Sequence, residues 1–167
     1  MEYISSDTNV WIDFSTIGFL DCPFRLDWSF YMYEEAVEEE LLNPPGISEE
    51  LISYGIISTE LSEDEFYTAE MFGRKYKKLS SYDCIALSIA KERGIKLMTG
   101  DYALRKAACS ENVDVIGTLG VIDALMDSEL IDKTEYIEML TRIMLFNGRE
   151  IWLPMKEIMV RLESARE

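Results

Sequence analysis

Along this chain, short apolar runs alternate with longer stretches whose apolar residues recur at helical spacing. Residues 3–6, 28–32, 55–59, 95–99 and 113–117 read as five short strands. Residues 9–20, 33–42, 62–78, 82–93 and 102–109 read as helices between them, and 49–53 as a turn or two of helix. The punctuation agrees with this division. Pro23 breaks the first helix, Asn43-Pro44-Pro45-Gly46 stops the second, and Gly94 suits a helix C-terminus. Ser62 and Glu65 have the spacing of a capping box. From Thr118 onward the pattern predicts two or three more helices, punctuated by Gly148 and Pro154.

Strands alternating with helices predict an α/β fold, a parallel sheet covered on both faces. The 167 residues fit one domain, 1–167, with a core at about 3–120 and a helical extension at about 121–167. No repeat, linker or low-complexity segment divides them. Apolar residues make up 48% of the chain, enough to fold rather than stay disordered. No apolar run approaches the ~20 residues of a membrane span. With no secretory signal pattern at the start, a cytoplasmic location is the default expectation.

Two absences narrow the chemistry. There is no histidine, which removes Ser-His and Cys-His nucleophiles and the commonest zinc ligand. Cys22, Cys84 and Cys109 are odd in number and widely spaced, so apolar packing is expected of all three rather than disulfides or zinc binding. Neither a Walker-type phosphate loop nor a dinucleotide-binding glycine turn occurs. Asp and Glu number 32 against 16 Lys and Arg, a net charge of −16. Such a surface repels nucleic acid at long range and favours a basic partner.

Within that acidic background, the placement of four residues matters. Asp7 ends the first strand, Asp101 follows the fourth, and Asp83 opens a helix. In open α/β sheets, strand carboxyl ends and helix starts converge on one ligand-binding crevice. Glu40 is selected by helix geometry. It lies about 60° from the apolar position Val37, while Glu39 lies about 160° away, so Glu35 and Glu39 should face water. Each acid alone has an ordinary reading as a helix cap or a solvated charge. Together they suit a hard cation such as Mg²⁺ or Mn²⁺. Asp13, further into the first helix, looks like ordinary surface. The densest basic patch, Arg74-Lys75-Tyr76-Lys77-Lys78, and the pair Arg105-Lys106 are solvated faces or phosphate contacts, with Tyr76 available for stacking.

Asp7-Thr8-Asn9 after a short strand resembles the opening of PIN-domain ribonucleases. The segments 79–94 and 97–108 are similar to the part of that family carrying its two downstream acids. Val37-Glu38-Glu39-Glu40-Leu41 resembles its internal glutamate motif. The resemblance implies a three-layer α/β/α fold with a five-stranded parallel sheet, and metal-dependent RNA cleavage, with many relatives being toxins of toxin–antitoxin modules. It implies Asp7, Glu40, Asp83 and Asp101 as the catalytic and metal-binding set, with Asn9 and Thr99 in support. Lys75, Lys77, Lys78 and Arg105 would meet RNA. The implied partners are RNA, a basic antitoxin and a second copy in a homodimer. Two other readings stay open: a non-catalytic PIN-like module binding a basic protein through its acidic face, and a phosphotransfer domain with Asp7 as nucleophile.

Overall fold

The computed structural model describes residues 1–167. Strands β1 (Glu2–Ser6), β2 (Trp28–Tyr33), β3 (Ile57–Thr59), β4 (Lys96–Met98) and β5 (Val115–Ile116) form one parallel sheet. Its order is β3-β2-β1-β4-β5. The chain winds outward from β1 in one direction and then in the other, so the order reverses between β1 and β4. Ser5 lies beside Leu97 and Ser6 beside Met98 in that central pair.

The pleat sends neighbouring residues to opposite faces. Met98 joins Ile4, Phe30 and Met32 on one face. Helices α1 (Thr8–Ile17), α3 (Ile47–Tyr54), α7 (Thr118–Asp127), α8 (Lys133–Phe146) and α9 (Met155–Arg166) share that core. Leu97 faces the other way, into a smaller core with α4 (Glu63–Lys75), α5 (Ser81–Arg93) and α6 (Tyr102–Ser110). The architecture is therefore a three-layer α/β/α sandwich. Ser5 sits under α5 and donates its hydroxyl to Ala86 O at 2.8 Å. The late helices enter the principal core deeply, and Met139, Leu140, Ile143, Ile158 and Leu162 are all buried.

Local signals account for most of the element ends. Ser62 with Glu65, and Ser80 with Asp83, form reciprocal capping boxes at the starts of α4 and α5. Gly94 ends α5 in the left-handed conformation, with φ at 64°. Several expectations change. The helix α2 spans only Glu34–Glu39, with Glu40 as its C-cap rather than inside it. Helix α4 ends at Lys75, which leaves Lys77 and Lys78 in the connection to α5. The segment after Tyr54 begins its strand at Ile57, and residues 47–54 make a full helix. Cys22 and Cys84 are buried, but Cys109 is exposed. No helix is long and apolar enough to cross a membrane.

Candidate active site

The reversal of strand order opens a crevice at the carboxyl ends of β1 and β4, the place where α/β sheets bind ligands. Asp7 follows β1 directly, and Asp101 follows β4 after Thr99 and Gly100. The Asp7 amide continues the ladder by donating to Met98 O at 2.9 Å. Its side chain caps α1, with Oδ1 accepting from Thr8 N at 2.8 Å. Its Oδ2 accepts the Thr99 hydroxyl at 2.9 Å. Thr99 Oγ1 accepts in turn from Asp101 N at 3.1 Å. Asp101 then caps α6, its Oδ1 taking Leu104 N at 2.8 Å. Asn9 Oδ1 accepts from Gly100 N at 3.2 Å, tying the first turn of α1 to the loop after β4.

Glu40 and Asp83 arrive from farther off. Thr8 donates its hydroxyl to Glu40 Oε2 at 2.8 Å, so the residue after Asp7 holds the glutamate. Asp83 Oδ2 accepts Ser80 N at 2.9 Å at the start of α5. The Tyr82 hydroxyl donates to Glu39, linking α5 to the end of α2. Thr8 and Ser80 are the contributors that had not been singled out. Ser80 was legible as the first member of a Ser-x-x-Asp capping box. Nothing in the chain marks Thr8 as a glutamate's partner.

These acids feel one another. Burial, and then the charge of Asp83, push the Asp7 carboxyl up to about 7, against the hydrogen bonds from Thr99 and Thr8. Glu40 adds a smaller push. Burial raises Glu40 as well, with Asp83 contributing and the Thr8 bond opposing. Asp83 is raised by burial and by the charge of Asp101, against its Ser80 bonds. No ion pair of the molecule involves any of the four.

The donor chemistry suits Mg²⁺ or Mn²⁺, since every ligand on offer is a carboxylate oxygen. Glu40 Oε1, Asp83 Oδ1 and Asp101 Oδ2 have no internal hydrogen-bond partner. The side chains do not form a ready-made chelate, because no three of them are arranged to hold an ion. That openness is compatible with Mg²⁺, which commonly binds through one or two carboxylates, water and substrate phosphate.

The basic residues divide. Arg105 is exposed and lines a cleft with Gly100, just beyond Asp101. Lys77 and Lys78 are exposed in the turn before Ser80. Lys75 is not available beside the crevice. Its ammonium pairs with Glu111 Oε2 at 2.9 Å. Tyr76 donates to the same oxygen, and Lys91 pairs with Oε1. Glu111 lines a cleft with Met1, Glu2 and Lys96, at the amino ends of the strands. Local sequence density could not show that a distant glutamate claims this lysine. Asp13 needs correction too. It is only 8% exposed, and its Oδ2 accepts the Thr118 hydroxyl at 2.7 Å.

A family profile described as PIN domain matches residues 3–167. The chain belongs to the PIN-domain family. No curated protein and no solved structure matches it. The profile takes in α7, α8 and α9 as well as the sheet, so the family match covers nearly all of this PIN domain. Its five parallel strands between two helical layers are the nuclease-like architecture of that family, and its acidic crevice lies at the sheet's switch point.

Proposed function

We propose that this PIN domain is a Mg²⁺- or Mn²⁺-dependent endoribonuclease that hydrolyses RNA phosphodiester bonds at the crevice of Asp7, Glu40, Asp83 and Asp101. The observation that carries this reading is the state of Asp7. It is buried among other carboxylates, has no basic partner, and has its carboxyl pushed up to about 7. Such a group opposes folding unless something else is gained from it, and perturbed carboxylates in a cleft are characteristic of working sites.

Asp7 and Asp101 would bind the ion directly, and Asp83 and Glu40 would share it or position water. A bound divalent ion would lower the pKa of a water and offset charge on the phosphoryl oxygens. The chain's own contribution is positional. Thr99 ties Asp7 to the backbone of Asp101 through one hydroxyl. Asn9 holds the Gly100 amide, which fixes the loop carrying Asp101. Thr8 holds Glu40 on the same side as Asp7.

The test is cleavage of an end-labelled RNA with Mn²⁺ or with chelator. Wild type should cut only with the ion, and Asp7→Asn and Asp101→Asn should not cut while keeping the wild-type circular dichroism. Full cleavage by Asp7→Asn would sink the assignment. Absence of both cleavage and Mn²⁺-dependent stabilisation would leave the acidic face as a docking surface for a basic protein.

In a toxin–antitoxin setting, a basic antitoxin segment would set Arg or Lys among these carboxylates. The net charge of −16 supports that pairing and would speed the encounter. Failure of the product of a neighbouring small open reading frame to bind or inhibit the protein would count against this setting.

A further inference from the structure

We propose that a second cleft beside the carboxylates holds an unpaired nucleobase of single-stranded RNA against Tyr102 and Trp152, with a flanking phosphate on Arg105 and Lys106. The inference rests on the ribonuclease reading for its ligand, and extends it to how the strand is gripped.

The cleft has a volume of about 730 Å³ and runs between α6 and the loop that joins α8 to α9. Gly100, next to Asp101 in the chain, lines both this cleft and the adjoining one that Asp101 lines. Two large rings stand at it, Tyr102 at 80% exposure and Trp152 at 73%. The aromatic stacking of this protein occurs elsewhere, notably around Trp11, Phe24 and Phe30, and neither Tyr102 nor Trp152 takes part in it. Both rings therefore keep their faces free. Every base has a π-face, so an exposed aromatic beside a cationic groove is the general means of holding a single strand.

Charge separates this cleft from its surroundings. No acidic side chain lines it, although the chain carries twice as many acids as bases. Arg105 and Lys106 both line it, and neither side chain makes an internal ion pair or hydrogen bond; only their backbones do, Arg105 N to Asp101 O and Lys106 O from the Ser110 hydroxyl. The adjoining cleft at Asn9 is lined by Asp13, Asp101 and Glu150, and Tyr102 and Trp152 stand on the boundary and line both. A strand crossing from one to the other would leave the cations, pass the two rings at the boundary, and reach the carboxylates.

Trp152 is placed by a braced loop. Asn147 accepts Leu153 N at 2.8 Å and donates to Leu153 O at 3.0 Å. Gly148, at φ 85°, makes the turn and donates to Ile151 O at 2.8 Å. Ile151 is fully buried on one side of Trp152, and Leu153 packs against the core on the other. The indole is held outward between two anchors, an arrangement that keeps the ordering cost of binding low.

The experiment is fluorescence-anisotropy titration of a labelled single-stranded RNA oligonucleotide in chelator, where no cleavage occurs. Trp152→Ala and Tyr102→Ala should each weaken binding roughly 5- to 150-fold, the range of one lost base stack. Trp152→Phe should retain most of the affinity, because it keeps a ring. Intrinsic fluorescence should be quenched by the strand in wild type, with the quench largely absent from Trp152→Ala. Unchanged affinity in both alanine variants, with wild type still cutting RNA in Mn²⁺, would overturn the cleft and spare the nuclease. Aromatic-dependent binding without cleavage by wild type would do the reverse. A Trp152→Ala protein that changes only its oligomeric state by light scattering would show a protein interface instead, and overturn the proposal.

Discussion

Thr99 and Asp7 stand 92 positions apart in the chain, yet the hydroxyl of one donates to the carboxylate of the other at 2.9 Å, in full burial. The same hydroxyl oxygen accepts the Asp101 amide, so one side chain joins the ends of β1 and β4 to the start of α6. Thr99→Val keeps the shape and removes the bond. A hydrogen bond to a charged group contributes about 1.5–3 kcal/mol, so stability at pH 8 should fall by an amount of that order. Urea denaturation checks this, and Thr99→Ser should recover most of the loss. Since the bond holds the Asp7 carboxyl down, the acid limb of any cleavage profile should move to higher pH in the valine variant.

Stability in chelator should have a maximum in mildly acidic solution. Asp7 is raised to about 7 in the fold, and Glu40 and Asp83 are raised as well. The folded state then holds protons that the unfolded chain has released, so stability falls as pH rises from about 4 through 7, and levels off above that. Glu111 works in the opposite sense. Burial pushes its carboxyl up, but Lys91, Tyr76 and Lys75 outweigh that and hold it at about 2. Its contribution is present above the ordinary carboxylate range and is lost as pH falls toward 2. Urea midpoints at pH 3, 5 and 8 should peak at the middle value. Asp7→Asn should lessen the decline between 5 and 8, the rest coming from Asp13, Glu40 and Asp83, and an unchanged decline would show that Asp7 contributes nothing to it.

Asp13 joins α1 to the start of α7 through Thr118, and its side-chain hydrogen bond goes there and not to the four acids. Burial pushes it up to about 6, against the Thr118 bond. Asp13→Asn preserves an acceptor oxygen and should fold with cleavage intact. Asp13→Ala leaves the buried Thr118 hydroxyl without its partner, and should cost about 1–3 kcal/mol in a denaturant titration.

Arg105 and Lys75 should separate in salt dependence. Each phosphate contact on a single strand contributes a slope of about 0.7 in the logarithm of affinity against the logarithm of salt. Arg105→Ala should lower the slope of RNA binding by roughly that amount. Lys75→Ala should leave the slope alone and lower thermal stability, since Lys75 is engaged with Glu111. Equal slopes for Arg105→Ala and wild type would remove Arg105 from the strand's path.

Short-range physics was enough to read much of this molecule from its order of residues. Strand periodicity, the Ser62 capping box, Gly94 and the breaks at Pro23 and Pro44 each act over a few positions, so the parallel α/β architecture was legible. So was the placement of Asp7 and Asp101 at strand ends, because caps and strand ends are local. Tertiary structure alone decided which groups meet. The order β3-β2-β1-β4-β5 is what sets Thr99 against Asp7, and no local signal encodes a contact across 92 positions. Lys75 looked free because its neighbours in the chain are basic, while Glu111 lies 36 positions on. Asp13 looked exposed because a helix has one polar face, until α7 covered it. Nothing in the order of residues marked Trp152, which lies between Gly148 and Pro154 in the C-terminal helical stretch. Folding brought its loop back to Gly100, since the apolar faces of α8 and α9 are buried in the same core as β1 and α1.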